Sequence, residues 1–133
     1  TGAYSGPYFT SKFAAVGLTD CLAQDLRTTG KNASASVLVP SLINTNIGTS
    51  GRNRQERWID SGREATPDAE FVEAMLAEST AAGMDSNEVA DLVFDAVEAG
   101  NFWIPTQPSY HDQIRARHED MQMLKLPTPP TLD

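Results

Sequence analysis

YFTSKFAAVGLTDCLAQDL, residues 8–26, is the stretch from which the fold is read. Phe13, Val16, Gly17, Cys21, Leu22 and Leu26 recur at three- and four-residue spacing, with Thr19, Asp20, Gln24 and Arg27 between them. That period predicts an amphipathic helix over 8–28. Pro7 suits its first turn and Gly30 its end. Ala14, Ala15, Gly17 and Ala23 are small enough to let another element approach closely. Cys21 falls on the apolar face, where a lone thiol acts as a small hydrophobe.

The segments that follow alternate in type. Ala35-Ser36-Val37-Leu38-Val39 is a short β-prone run stopped by Pro40, and its consecutive apolar residues predict a strand covered on both faces. Residues 41–65 are polar, with three Gly and four Arg, and read as a long excursion. Thr66-Pro67 opens a helix running to about Ala82, with Phe71, Val72, Met75 and Leu76 on one side. Asp85 and Glu88 form a capping pair for a helix over 86–99, whose stripe is Val89, Leu92, Val93, Ala96 and Val97. Phe102-Trp103-Ile104 is a second strand, stopped by Pro105. A polar, Arg-bearing helix follows from Ser109 to Lys125, and residues 126–133 are a Pro-rich extended tail. Buried-type strands separated by helical crossovers call for an α/β fold with a parallel sheet. Two strands make a poor sheet alone, so the pattern reads as one side of a larger one.

Tyr8 and Lys12 stand four residues apart, which puts both on one face of the first helix with Cβ atoms about 5–6 Å apart. A free phenol is a poor acid–base catalyst near neutrality, and a neighbouring ammonium favours its phenolate form. A Tyr-x-x-x-Lys pair is therefore suited to moving a proton to or from a carbonyl or alcohol oxygen. The setting of the pair makes it informative. YFTSKFAAVGLTDCLAQDL resembles the active-site helix of the short-chain dehydrogenases/reductases, where a Tyr-x-x-Ser-Lys motif is followed by small residues, Gly-Leu and an acidic, Leu-bearing second half. SVLVPSLINTNI (36–47) is similar to that family's strand ending in Pro-Gly-x-x-x-Thr. NFWIPTQPSYHDQIRARHE (101–119) resembles its C-terminal part.

The resemblance implies a Rossmann-type, doubly wound parallel sheet, of which this chain would be the C-terminal half, in the order helix, strand, lid helices, helix, strand, helix. It implies an oxidoreductase that uses NAD or NADP to interconvert an alcohol and a ketone or aldehyde. Tyr8 would be the general acid–base, and Lys12 would bond the nicotinamide ribose and assist Tyr8. Pro40, Ser41, Ile43 and Thr45 match the stretch that meets the nicotinamide, with Ser41 where the family usually has Gly. Residues 46–84 would be the substrate lid, with Trp58, Phe71, Met75 and Met84 as apolar contacts, and Tyr4 as a loop aromatic near the substrate. A homodimer or homotetramer is implied as well.

No Gly-rich phosphate-binding turn (G-x-x-x-G-x-G or G-x-G-x-x-G) occurs in the chain, and the family's catalytic Ser has no counterpart in it. On this reading the 133 residues alone are not catalytically competent. A second reading is a truncated, non-catalytic module that pairs through its first helix, and a third is a helical binding protein whose Tyr and Lys are fortuitous. With 10 basic and 18 acidic residues and a net charge of −8, the chain lacks the clustered basic surface that grips nucleic acid or anionic lipid. The GRNRQER cluster at 51–57 reads as a solvated loop. A single Cys allows neither a disulfide framework nor a Cys-based metal site, and His111 and His118 read as surface residues. No metal is expected. Together these point to a cytoplasmic chain.

Overall fold

The computed structural model describes residues 5–59 and 66–129, in two compact units. One is built from residues up to Ser41 and from Ala90 onward; the other is Leu42–Val89. Tyr4 lies outside the described residues.

In the first unit, α1 runs Gly6–Thr29, two residues earlier at its start than the apolar period indicates, with Pro7 in its first turn. Proline's fixed φ and missing N–H are harmless there. Gly30 ends it in a left-handed conformation, φ 63°, and the Gly30 and Lys31 N–H groups close the last turn on Arg27 and Leu26. β1 (Val37–Val39) and β2 (Trp103–Pro105) pair in parallel, Val37 opposite Trp103 and Val39 opposite Pro105. Both strands are shorter or shifted relative to the sequence reading. β1 begins at Val37 rather than Ala35, and Pro105 belongs to β2 instead of ending it. Pro105 costs the ladder nothing, because the next N–H, that of Thr106, reaches the Val39 carbonyl at 3.2 Å.

Burial corrects two expectations. Val37 and Ile104 are buried, but Leu38 is 39% exposed, so the described residues cover β1 on one face only. α1 buries none of its side chains: Val16, Ala23 and Leu26 are half-buried, while Phe13, Leu18, Leu22 and Cys21 are exposed. A period marks which residues share a face, but it does not supply a partner for that face. α4 (Tyr110–Gln122) ends three residues before the expected Lys125. There Leu124 takes a left-handed φ of 55°, and the Lys125 N–H returns to the Asp120 carbonyl. α4 meets α1 where the Arg117 guanidinium lies 5.1 Å from the Phe13 ring centre.

In the second unit, the polar excursion is not irregular throughout. It holds 3-10 helices at Asn46–Asn53 and Glu56–Trp58. Arg52 secures the first by donating to the Asn46 and Thr49 carbonyls. α2 (Pro67–Ala81) packs on that segment, with Gly48 against Ala77. Its inward side is Val72, Leu76 and the buried Thr80, spaced by four, whereas Phe71 is 61% exposed. The sequence groups Phe71, Val72, Met75 and Leu76 on one side; the structure divides them, with Val72 and Leu76 half-buried and Phe71 and Met75 exposed. α3 (Ser86–Glu98) starts in this unit, its residues from Ala90 on being counted with the first, and Asp85 caps it as expected: its carboxylate accepts the Asn87 N–H at 2.8 Å. Val89 is its buried residue.

Candidate active site

Tyr8 and Lys12 lie one turn apart near the start of α1, both exposed, and the Lys12 ammonium sits 5.4 Å from the Tyr8 ring centre. The pair is brought together as the spacing requires, but the ammonium stands over the aromatic face. An exposed contact of this kind contributes about 0.5–1 kcal/mol. Phe9 meets Tyr8 edge-on, 5.4 Å between ring centres, and limits where the Tyr8 ring can turn. Ser11, the Ser of the Tyr-x-x-Ser-Lys motif, donates to the Tyr8 backbone carbonyl at 2.7 Å, a local bond that keeps its hydroxyl on the helix. Among the described residues no carboxylate pairs with Lys12.

Pro40 and Ser41 form the corner at the C-terminal end of β1. The Ser41 N–H donates to the Thr106 hydroxyl at 2.8 Å, and the Tyr110 hydroxyl stands 3.4 Å from the Pro40 carbonyl. Neither Thr106 nor Tyr110 was marked by the sequence. Their partners lie 65 and 70 residues away, and no local pattern encodes such a pairing.

Within the Leu42–Val89 unit, Ile43 bridges Met84 in parallel: the Met84 N–H donates to the Leu42 carbonyl, and the Asn44 N–H to the Met84 carbonyl, each at 2.9 Å. Met84 is thus fixed beside Ile43 by backbone bonds. Thr45 is exposed and precedes the 3-10 helix at Asn46. Trp58 is 67% exposed with the Arg57 guanidinium 5.4 Å from its ring, and Met75 is exposed. These side chains are open to contact rather than packed into a core.

A cleft of about 390 Å³ lies between the second half of α1 (Asp20, Gln24, Arg27), Ala33–Ala35 and Phe102–Trp103. It does not include Tyr8 or Lys12. Twelve residues of helix separate Tyr8 from Asp20, about 18 Å at 1.5 Å per residue. Tyr8 and Lys12 therefore lie outside this cleft, on an exposed part of α1. Among the described residues no helix is long and apolar enough to cross a membrane.

Similarity to known proteins bears on the fold and the family. No family model matches the chain. A protein described as a CLA biosynthesis dehydrogenase/reductase, from Lactiplantibacillus plantarum, is 27% identical over 116 residues, 83% of this chain and 39% of that protein. The crystal structure of a short-chain dehydrogenase/reductase from Burkholderia phymatum, in complex with NAD, superposes with a TM-score of 0.89 at 32% identity, over 95% of this chain and 45% of that one. Sequence and fold agree on the short-chain dehydrogenase/reductase family, with the α/β, Rossmann-type architecture. The chain spans less than half the length of either relative.

Proposed function

We propose that this chain supplies the proton-transfer side of an NAD-dependent oxidoreductase that interconverts an alcohol and a ketone or aldehyde. The observation that carries the reading is the Tyr8–Lys12 pair on one open face of α1, with Tyr8 50% exposed. A phenol that exchanges a proton with a substrate oxygen must be reachable by that oxygen. In the reducing direction the Tyr8 hydroxyl gives its proton to the carbonyl oxygen as the alcohol forms; in the oxidising direction the Tyr8 oxygen takes the alcohol proton. The Lys12 ammonium, one turn away, offsets the negative charge left on that oxygen.

The donor set suits a nicotinamide cofactor. Lys12 is free of carboxylates among the described residues and can donate to ribose hydroxyls. Pro40 offers a flat apolar surface, and the Ile43 backbone and Thr45 hydroxyl offer groups for a carboxamide. Ser41 completes the corner. When bound, the cofactor supplies or accepts the hydride. The complex of the Burkholderia phymatum relative supports NAD over NADP. Trp58, Phe71, Met75 and Met84 would give the substrate apolar contacts, which favours a hydrophobic alcohol or ketone. A lone cysteine is compatible with work in the cytoplasm.

A second reading, an interaction module that pairs through α1, is favoured by the exposed Phe13, Leu18 and Leu22. Turnover separates the two. NADH oxidation by the protein carrying this chain is measured with hydrophobic ketones and aldehydes. Tyr8→Phe is expected to lower kcat at least about 100-fold, with NADH affinity little changed. Equal turnover in the variant would remove Tyr8 from the chemistry.

A further inference from the structure

We propose that Thr106 is a positioning residue for the Pro40–Ser41 corner, and through it for the nicotinamide end of the cofactor. The proposal rests on the oxidoreductase reading above. Thr106 directly follows β2 and is 5% exposed, one of two buried polar residues among those described. It makes two hydrogen bonds to the corner, one on each side of Pro40. Its backbone N–H donates to the Val39 carbonyl at 3.2 Å, and its hydroxyl accepts the Ser41 N–H at 2.8 Å.

The second bond is the unusual one. The regular ladder between β1 and β2 ends at the Val39–Pro105 pair. Pro40 has no N–H to extend it. The next donor on the chain, the half-buried Ser41 N–H, is met by a side chain. An unmet N–H in that position would turn toward water, and the chain would leave β1 in a different direction. Thr106 therefore sets the path of the backbone at the Pro40–Ser41 corner. The Tyr110 hydroxyl, 3.4 Å from the Pro40 carbonyl, adds a longer contact on the same corner. Ser41 replaces the glycine usual in the family. A side chain at that position leaves the backbone fewer conformations, and the Thr106 bond selects among them.

The residue touches neither substrate nor reacting atoms, so its signature is selective. Affinity for the nicotinamide end should depend on the Thr106 hydroxyl, and affinity for the adenine end should not. Binding of NADH and of ADP-ribose, which lacks the nicotinamide, is measured by calorimetry in the protein carrying this chain and in two variants. T106V keeps the shape and removes the acceptor; T106S keeps the hydroxyl and rescues. T106V is expected to weaken NADH at least about tenfold, with ADP-ribose within about twofold of the parent, and T106S to bind both as the parent does. If T106V does not fold, T106C, whose sulfur is a weak acceptor, is expected to show the same selective loss in smaller measure. Equal weakening of both ligands, or no weakening of either, overturns the positioning role alone. A parent protein that binds ADP-ribose but not NADH, or neither, overturns the oxidoreductase reading and this role with it.

Discussion

Gly83 carries no chemistry, yet the Leu42–Val89 unit closes on it. A Cβ at this position would stand 2.5 Å from the Leu42 carbonyl oxygen and 2.8 Å from the Ile43 carbonyl carbon. Both are backbone atoms, so no side chain can swing aside to make room. The absent Cβ is what lets Met84 bond the Leu42 carbonyl and Asn44 bond Met84, the bridge that holds Ile43. Gly83→Ala is expected to destabilise the unit by roughly 1–3 kcal/mol, the usual cost of forcing atoms into a filled site. Denaturant melts check this, and an unchanged midpoint would mean that the bridge yields at little cost. Legibility at this scale follows the range of the contact. Tyr8 and Lys12 could be paired from sequence because a helix makes a four-residue spacing into a neighbourhood. Gly83 follows the expected end of the helix at about Ala82, and nothing nearby in sequence shows that the Leu42 backbone is its neighbour. Thr106 is hidden for the same reason.

Elements were legible where a local rule sets them. Pro7, Gly30 and Asp85 mark helix ends through a missing N–H, φ or a short carboxylate, and the structure has helix boundaries beside each of them. Which way a helix faces was less legible, because that depends on what it meets: α2 turns Val72, Leu76 and Thr80 inward and leaves Phe71 out. The end of α4 shows both sides of this. It stops short of the expected Lys125, and Leu124 takes the left-handed turn that glycine usually makes. The turn is tied down by Asp120, whose carboxylate accepts the Thr128 N–H at 2.7 Å. Hydrogen bonds from the Thr128 hydroxyl and backbone, with a smaller attraction from Lys125, hold the Asp120 carboxyl below the ordinary aspartate range. A carboxylate with a lowered native pKa favours the tethered state above the ordinary aspartate value, and that contribution is lost as pH falls through the lowered one. The Thr128 amide resonance is therefore expected to stay constant from neutral to mildly acidic pH. It should move in strong acid, with a midpoint below that of a free aspartate. A midpoint at or above the free value would show that the tether does not form.

At the scale of the whole chain, the apolar residues that are buried among those described are Val37, Val89 and Ile104. Composition gave the class, an ordinary globular chain with 40% hydrophobic residues, but could not show how few of them these elements would enclose. A sequence period assumes a partner; here α1 carries its stripe in full while Phe13 and Leu22 of that stripe stay about half exposed, and Leu18 beside it is 73% exposed. The chain also corresponds to only 45% of the Burkholderia phymatum relative with which it shares its fold. Stability should therefore be distributed unevenly, and two substitutions test it against each other. Ile104 is 2% exposed at the centre of the strand pair, opposite Leu38. Ile104→Ala removes three carbons from a site with little room to collapse, and is expected to cost about 2–5 kcal/mol. Leu18→Asp changes a residue that the described elements leave in water, and is expected to cost less than about 0.5 kcal/mol. Melting both variants in the protein that carries this chain gives the comparison directly. A large loss for Ile104→Ala with almost none for Leu18→Asp would mean that Leu18 is in solvent in the working protein. Comparable losses would mean that Leu18 is covered there by something beyond the described residues, and the size of its loss would measure how completely.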